Sequence, residues 1–301
     1  MAKRVPKFTY NGDYKTNSDD TYWYIHLFSS GTLTFVNDRS SFDIFIVGGG
    51  AGGNGGTNIY GGAGGCSGKT STKNGLSATA GQAFEITVGK GGAGGVAHGF
   101  ATAGGKTIAF GSTADGGTVD TSGFTSQPGA SVGGSGSGTG AYKNLSWAAG
   151  KGGADGANGT SPGGQWAAGK GQGTTTRAFG ETDGALYASG GDGGAFDSLS
   201  GASGEDAVQN TGDGGNGGLG GSSAYYAGGD GADGVVIIRG TEEDVLPVFY
   251  DNTQLGDLFF NGTQITSLIY NGTKLFCEKL KRRVIEWYTS MKTARCLKMS
   301  I

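Results

Sequence analysis

Hydrophobic positions along the chain are concentrated in short runs that flank a long glycine-rich stretch. Leu33 and Phe35 alternate with polar residues in GTLTFV, which is the spacing of a half-buried strand. The runs FDIFIV (42–47) and GVVIIRG (234–240) lead into and out of the glycine-rich stretch and are rich in β-branched residues and Phe. Similar runs in TYWYIHLF, AFEITVG and KTIAFG predict further strands. The pattern therefore predicts a mainly β protein whose strands clamp the glycine-rich stretch.

Within this stretch the non-glycine residues recur at every third position. From Asp213 to Ser222 the non-glycine residues are separated by two glycines each, and the segments 48–66, 90–96 and 227–233 repeat the spacing. Three residues per turn is the period of the polyproline-II helix, which has no internal hydrogen bonds. Its buried N–H and C=O groups must find partners on neighbouring segments. With 67 glycines and only 4 prolines, the sequence excludes collagen and predicts a bundle of polyglycine-II helices formed by one chain.

The composition favours a folded protein over a disordered one. Charged residues make up 16% of the chain and aromatic residues 10%, whereas disordered chains combine high charge with few aromatic residues. A net charge of −3 argues against a nucleic-acid-binding function, which needs a basic surface to neutralise phosphates. No apolar run approaches a membrane span, and MAKRVPKFTYNG lacks the apolar region of a signal peptide. We therefore expect a protein that is made in a cytoplasm without membrane insertion.

The segment DIFIVGGGAGGNGG (43–56) contains the pattern of a dinucleotide-binding loop. Gly48, Gly50 and Gly53 satisfy G-x-G-x-x-G. The motif needs a helix directly after the glycines, because the helix N-terminus binds the pyrophosphate. Here more glycines follow, and the ribose-binding carboxylate expected about 20 residues further on is missing. We therefore expect no cofactor and interpret these glycines as part of the scaffold.

No set of residues in the sequence indicates catalysis or a metal centre. Neither His26 nor His98 has a companion at metal-ligand spacing, so we expect no metal site, no Ser–His pair and no enzymatic activity. The three cysteines have the spacing of neither a metal site nor a disulfide framework. The segment GGDGADGVV (228–236) fits the calcium-binding repeat of β-roll proteins. Because it stands alone in a chain rich in Gly and Asp, chance is the better explanation.

Aromatic residues that interrupt the glycines are the candidate binding residues. A bundle core has no room for their rings, so we expect them in loops at the bundle ends or beneath the clamping strands. Rings at a loop tip offer a sugar a large contact area at a small entropic cost. The alternative is that they cap the bundle ends against water. The candidates are Tyr142, Trp147, Trp166, Tyr225 and Tyr226, with Tyr60 and Phe100 in similar settings.

The composition changes after Gly240, where two further regions follow. Three ten-residue units start at Tyr250, Phe260 and Tyr270, and each has an aromatic residue followed by a turn pair such as Asn-Gly. This is a hairpin signal and predicts a small β-meander. The last residues are basic with apolar positions at helical spacing, which predicts a terminal helix that either packs one face on the meander or docks onto a partner. The predicted divisions are the clamping strands (1–47), the bundle (48–240), the β-repeat module (241–278) and the basic tail (279–301).

Four segments resemble glycine-rich tail-fibre or adhesin proteins of phages and prophages of gut bacteria. They are WYIHLFSSGTLTF, FDIFIVGGGAGG, GQGTTTRAFGETDGALYASGGDGG and GGDGADGVVIIRG, and the resemblance covers roughly residues 8–240. The architecture is similar to the polyglycine-II bundles of tail-fibre-tip adhesins of some T-even-like phages, in which loops at the end of the bundle bind host receptors. The resemblance implies a virion protein without enzymatic activity that binds a bacterial surface glycan or protein and contacts other tail or fibre subunits.

Two other functions remain open at this stage. One is a purely structural fibre or tail component that leaves recognition to another subunit. The other is ice binding, since some insect antifreeze proteins resemble glycine-helix bundles, although the bulky aromatic residues here would interrupt a flat ice-binding face. The resemblance also leaves the oligomeric state open between a trimer, which is common in phage fibres, and a monomer.

Overall fold

A computed structural model of the chain divides into two compact units, Met1–Glu243 and Asp244–Ile301. The structure describes residues 3–119, 121, 131–142, 149–162, 166–196, 202–221 and 224–241, together with six short strands between residues 248 and 274.

The first unit consists of β-strands connected by glycine-rich segments, so the predicted mainly β character is confirmed. Strands occur in all six apolar runs that predict them. The described part of the unit contains a single turn of 3-10 helix at Ala178–Gly180. The strands are β1 (Phe8–Tyr10), β2 (Tyr14–Ser18), β3 (Trp23–Leu27), β4 (Gly31–Phe35), β5 (Arg39–Val47), β6 (Thr70–Ala78), β7 (Ala83–Ile86), β8 (Thr107–Ala109), β9 (Ser112–Ala114) and β10 (Val235–Gly240).

Two antiparallel sheets enclose the main hydrophobic core. One sheet has the strand order β2-β3-β10-β5-β6 and the other has the order β1-β4-β7, while β8 and β9 form a hairpin. The period-two alternation of β3 places Trp23, Ile25 and Leu27 in the core, with Leu33 and Phe35 of β4 opposite them. The alternating residues of β5 and β10 fill the same core. The predicted alternation therefore corresponds to the buried face of the sheet.

The opposite face of the five-stranded sheet is covered by the segment that contains TTTRAFGETDGALYA. A second core joins Phe45 of β5 and Ile237 of β10 to Ala178 and Ala188 of this segment. The Arg239 guanidinium lies on this face between the rings of Phe179, at 3.9 Å, and Tyr22, at 4.4 Å. It also forms ion pairs with Asp43 and Glu181. Arg239 thus holds the segment TTTRAFGETDGALYA against this face of the sheet.

The glycine-rich stretch begins and ends on neighbouring strands. Val47, the last residue of β5, is the cross-strand partner of Val235, the first residue of β10. The segments between residues 48 and 234 that lie outside strands are hydrogen-bonded to one another through their backbones. We call them the glycine array. The chain therefore enters and leaves the array at one place on the five-stranded sheet.

The central segment of the array, residues 48–57, is hydrogen-bonded to six neighbouring segments. The N–H groups of Ala51, Gly52 and Gly53 donate to three different segments, at 2.8, 3.1 and 2.9 Å. The next three residues donate to the same three segments, three residues further along each one. Carbonyl groups of the central segment accept N–H donors from three more segments. The acceptor segments, which run antiparallel, are 60–69, 99–106 and 226–234, and the donor segments are 88–98, 115–118 and 212–221.

This packing explains why glycine occupies two of every three positions. A Cβ atom added to Gly52 or Gly53 would lie 2.2 or 2.0 Å from a carbonyl oxygen of a neighbouring segment, whereas heavy atoms pack at about 3.5 Å. The third position faces a gap between neighbours that admits a side chain. Ala51 and Asn54 occupy it and are 0% and 7% exposed. At two of every three positions, the backbone of a neighbouring segment therefore leaves no room for a side chain.

The segment 212–221 obeys the same rule around its own neighbours. A Cβ atom on Gly217 would lie 2.0 Å from one carbonyl oxygen, and one on Gly218 would lie 2.2 Å from another. Its third positions carry Asn216 and Leu219. The N–H groups again alternate among three acceptor segments with a repeat of three residues. The three-residue spacing in the sequence is therefore the spacing of the hydrogen bonds.

Polar side chains at third positions replace a neighbouring backbone at the outside of the array. One carboxylate oxygen of Asp233 accepts the N–H of Gly91 at 2.7 Å, and the other accepts from Lys90 Nζ at 2.7 Å. We call this arrangement a Lys-Asp clip. It supplies an acceptor to a backbone donor that would otherwise face solvent. A second clip, at 2.8 and 2.7 Å, is formed by Asp192, Gly152 and Lys151.

The second unit contains three antiparallel strand pairs. Their six strands are β11 (Val248–Tyr250), β12 (Thr253–Leu255), β13 (Phe259–Phe260), β14 (Thr263–Gln264), β15 (Ile269–Tyr270) and β16 (Thr273–Lys274), paired in that order. The predicted turn pairs and the predicted helix within 279–301 lie outside the described residues, so the meander and the tail helix stay predictions.

Candidate functional site

The glycine array has two chemically different ends. At the sheet end its segments continue into β5, β6, β8, β9 and β10. At the other end, which we call the loop end, the segments are joined by turns and loops. Each loop is therefore held by two hydrogen-bonded segments. The described residues of the loop end are 57–60, 96–101, 141–142, 149, 160–162, 166–168, 195–196, 202–204, 219–221 and 224–226.

The turn after the central segment is fixed by a threonine at a third position. The Thr57 hydroxyl accepts the N–H groups of Ile59 and Tyr60, at 3.2 and 2.9 Å. The Thr57 N–H donates to the Tyr60 carbonyl at 2.7 Å. A hydroxyl that bonds to the following backbone is a known turn-forming contact. It positions the Tyr60 ring at the loop end.

Three aromatic rings from distant parts of the sequence meet beside this turn. The ring centroids of Tyr60 and Tyr142 are 4.9 Å apart with the rings stacked. Trp166 packs edge-on against both, at 5.4 and 6.1 Å. A backbone bridge between Tyr60 and Tyr142 aligns the two loops. All three side chains are half-buried, so each ring is partly accessible. We call these residues the loop-end cluster.

A second aromatic contact lies on other loops of the same end. The His98 and Tyr225 rings are 4.1 Å apart in an edge arrangement, and Tyr225 is 42% exposed. His98 has a positive φ of 59°, and its N–H donates to the Gly56 carbonyl at 3.1 Å. Val96, two residues earlier, is 72% exposed. Left-handed backbone at a non-glycine residue costs about 1–2 kcal/mol, so the array holds this turn in an unfavourable conformation.

The described residues of the loop end carry no Asp, Glu, Lys or Arg side chain. The ion pairs that the structure describes join residues at the sheet end or along the sides of the array, such as Lys90 with Asp233 and Arg239 with Glu181. The loop end therefore presents aromatic and aliphatic surface together with neutral hydrogen-bonding groups.

The described part of the loop end also contains a small crevice. It has a volume of about 10 Å³ and is lined by Asn54, Thr57, Phe100 and glycines of three segments. This is room for about one water molecule, whereas pockets for small ligands measure about 300–1,000 Å³. The crevice is therefore too small to hold a sugar or another small-molecule ligand.

The structure places four of the five candidate residues at the loop end and brings two of them together. Tyr142 and Trp166 belong to the loop-end cluster, and Tyr225 contacts His98. Tyr226 is half-buried, and its carbonyl accepts the N–H of Gly56 at 2.8 Å. Trp147 lies outside the described residues.

Two features were missed by the sequence reasoning. The sequence analysis assigned no role to His98. Its position between two glycine segments could have predicted that it lies in a turn at the loop end. The Lys-Asp clips were also missed, because their partners are far apart in the sequence. The Asp residues of the calcium-like motif 228–236 belong to this network: Asp230 accepts the N–H of Gly94 at 2.7 Å, and Asp233 forms the first clip. Two backbone N–H groups and Lys90 Nζ thus donate to three of the four carboxylate oxygens of Asp230 and Asp233.

Other reactive groups in the described residues are embedded in the scaffold. Burial raises the pKa of the Cys66 thiol, which lies against Ser137 inside the array, and a protonated thiol is a poor nucleophile. No group of three or more His, Cys, Asp or Glu side chains among the described residues is placed to hold a metal ion. No helix in the same part of the chain is long and apolar enough to cross a membrane.

Comparison with known proteins bears on the family of the chain. Comparison with curated proteins finds no similar sequence. The family model described as a glycine-rich domain matches residues 28–241, which is more than half of the chain and spans the glycine array with most of its sheet strands. The chain therefore belongs to the glycine-rich domain family.

Proposed function

We propose that the glycine array is a bundle of polyglycine-II helices. The support is the repeat of three in both the donors and the blocked Cβ directions, because this helix has three residues per turn and sends its backbone groups outward. At about 3.1 Å per residue, a segment of the length of 48–57 spans about 30 Å. A bundle of this kind is stiff, since its segments are joined on all sides by backbone hydrogen bonds.

We further propose that the protein is a phage or prophage tail-fibre adhesin without enzymatic activity, whose loop end binds a glycan on a bacterial surface. The observation that carries this proposal is the loop-end cluster. Tyr60, Tyr142 and Trp166 belong to neither hydrophobic core, yet they lie together at the end of the array whose described residues contain none of the named strands. Aromatic side chains on a rigid support lose little conformational entropy on binding, and they are typical anchors of recognition surfaces.

The proposal places the protein in the virion and assigns separate tasks to its parts. The sheet end would connect the loop end to other tail or fibre subunits, and the protein would act either as a monomer or as a trimer. The stiff array would hold the loops away from that attachment. The resemblance of residues 8–240 to phage adhesins supports this arrangement.

The test is binding of the labelled full-length chain to a panel of gut bacteria, measured by flow cytometry. The triple variant Tyr142→Ala, Trp166→Ala and Tyr225→Ala is expected to bind at least about 100-fold more weakly, since binding anchors contribute more than about 1 kcal/mol each. The matched control is Tyr14→Ala, because Tyr14 is 51% exposed on β2 and lies outside the loop end. A folded triple variant that binds like the wild type would refute the loop-end assignment.

A structural role without receptor binding is the second candidate. The observation in its favour is that the three rings contact one another and are half-buried, as expected if they cap the end of the array. Electron microscopy of virions labelled at the loop end separates the two candidates. A label at the distal tip of a fibre supports the adhesin, and a label inside the tail or fibre shaft supports the structural role.

A further inference from the structure

The electrostatic character of the loop end restricts the class of ligand that it can bind. Its described residues contain no Asp, Glu, Lys or Arg side chain. Between these described residues the sequence also contains Lys143 and Asp197.

The described residues of the loop end offer no Arg or Lys side chain to an acidic ligand. Carboxylate and phosphate groups are bound by Arg or Lys, frequently in pairs and with charge-assisted hydrogen bonds. An anion brought against aromatic surface without such partners loses its hydration without compensation. Lys90 and Lys151, two cationic side chains of the described array, are engaged in the Lys-Asp clips. Sialic acid, uronic acids and phosphorylated sugars are therefore disfavoured.

The groups that are present fit an uncharged sugar ring. The loop-end cluster offers ring faces and edges for the apolar C–H surface of a pyranose. Tyrosine hydroxyls and the indole N–H provide neutral hydrogen-bonding groups at the wet end of each ring. Ile59, which precedes Tyr60 in the same turn, is 39% exposed, and Val96, on another loop of the same end, is 72% exposed, so both add apolar surface to the loop end. The crevice among the described residues is too small for a sugar, so the partly accessible rings fit a ligand that contacts them with one face of a surface glycan.

We propose that the loop end binds an uncharged hexose or N-acetylhexosamine unit by stacking on the loop-end cluster. This inference rests on the proposed adhesin function and specifies its ligand. Trp166 is the main stacking residue, because it has the largest ring system and contacts both tyrosines. Lys143 then contributes nothing that depends on its charge.

The test uses the full-length chain against polymer-linked sugars in a plate-binding assay. The neutral set is glucose, galactose, mannose and N-acetylglucosamine, and the acidic set is glucuronic acid and sialic acid. We expect at least one neutral sugar to bind and neither acidic sugar to bind. Binding is expected to change less than 2-fold between about 50 and 500 mM salt, because it involves no ion pair. Trp166→Ala should weaken it at least 10-fold, Trp166→Phe should retain most of it, and Lys143→Gln should leave it unchanged.

The inference can fail separately from the adhesin function. If the chain binds bacteria through its loop end but only acidic sugars bind, or Lys143→Gln abolishes binding, the neutral-sugar inference is wrong and the adhesin function stands. Binding to bacteria with no recognition of any sugar also overturns the inference, in favour of a protein receptor. If the chain binds no bacteria and no sugar, both proposals fail.

Discussion

Replacing Gly53 by alanine tests the backbone contact between the central segment and the segment 212–221. The added Cβ atom would lie 2.0 Å from the carbonyl oxygen of Asn216 and 2.4 Å from its carbonyl carbon. Since heavy atoms pack at about 3.5 Å, the two segments must separate by more than about 1 Å. Backbone atoms cannot rotate away as a flexible side chain can, so the strain passes to the hydrogen bonds between the segments.

The magnitude follows from the hydrogen bonds that flank the substitution. The N–H groups of Gly215 and Gly218 donate to the carbonyls of Ala51 and Asn54, both at 2.9 Å. These groups are buried, and breaking such a bond costs about 1–3 kcal/mol, so two bonds cost about 4 kcal/mol. For a domain of this size, about 2–4 °C of melting temperature is lost per kcal/mol. We therefore expect Gly53→Ala to lower the melting temperature by about 10 °C.

Gly81→Ala is the matched control, measured in parallel by circular dichroism and calorimetry on the full chain. Gly81 has a positive φ of 75° and no atom within 4 Å of an added Cβ, so alanine there costs about 1 kcal/mol of backbone strain and about 3 °C. If Gly53→Ala unfolds at the same temperature as Gly81→Ala, the segments are not in backbone contact at residue 53, and the explanation of the three-residue spacing fails.

Three further predictions concern titratable and charged residues. Burial raises the pKa of Asp213, whose carboxylate accepts the Ser189 N–H, so ionisation of this residue destabilises the folded state at neutral pH. We therefore expect Asp213→Asn to raise the melting temperature at pH 7.5. The increase should shrink as the pH falls toward about 3.9. Burial and the charge of Lys15 lower the pKa of His26, so the wild type should lose stability as the pH falls below about 6.5. His26→Gln should remove this decrease in melting temperature between pH 7.5 and 5.5. An unchanged decrease would exclude His26 as its source. Arg239→Met should lower the free energy of unfolding by about 2 kcal/mol, because it leaves two carboxylates without their cation. Limited proteolysis should then cut within 176–188. Resistance equal to that of the wild type would show that Arg239 does not hold this segment on the sheet.

The strands and the three-residue register could be predicted because both are local signals. Alternation in β3 and β4 follows from the two faces of a strand, and the glycine spacing follows from the directions that backbone leaves closed. Pairings across long stretches of chain could not be predicted. The clip between Lys90 and Asp233 joins residues 143 positions apart, and no pattern in either segment identifies the other.

The candidate site was partly predictable for the same reason. Aromatic residues that interrupt glycine are visible in the sequence, and their exclusion from a close-packed array places them at an end. Which of them meet depends on the fold: Tyr60 reaches Tyr142 and Trp166 only because the segments that carry them all reach the loop end. Phe179, with its positive φ of 57°, covers the sheet by a conformation that its own sequence does not favour.

Contacts between glycine segments depend on main-chain atoms, and this has a consequence for how such a protein diversifies. Most contacts of a segment with its neighbours involve no side chain. The loop that follows a segment can therefore be lengthened, shortened or exchanged without a compensating change elsewhere. The turn from Thr57 to Tyr60 already needs only two intervening residues. Recombination among related genes can therefore shuffle whole loops as modules, and an engineered library that randomises them would inherit the same tolerance.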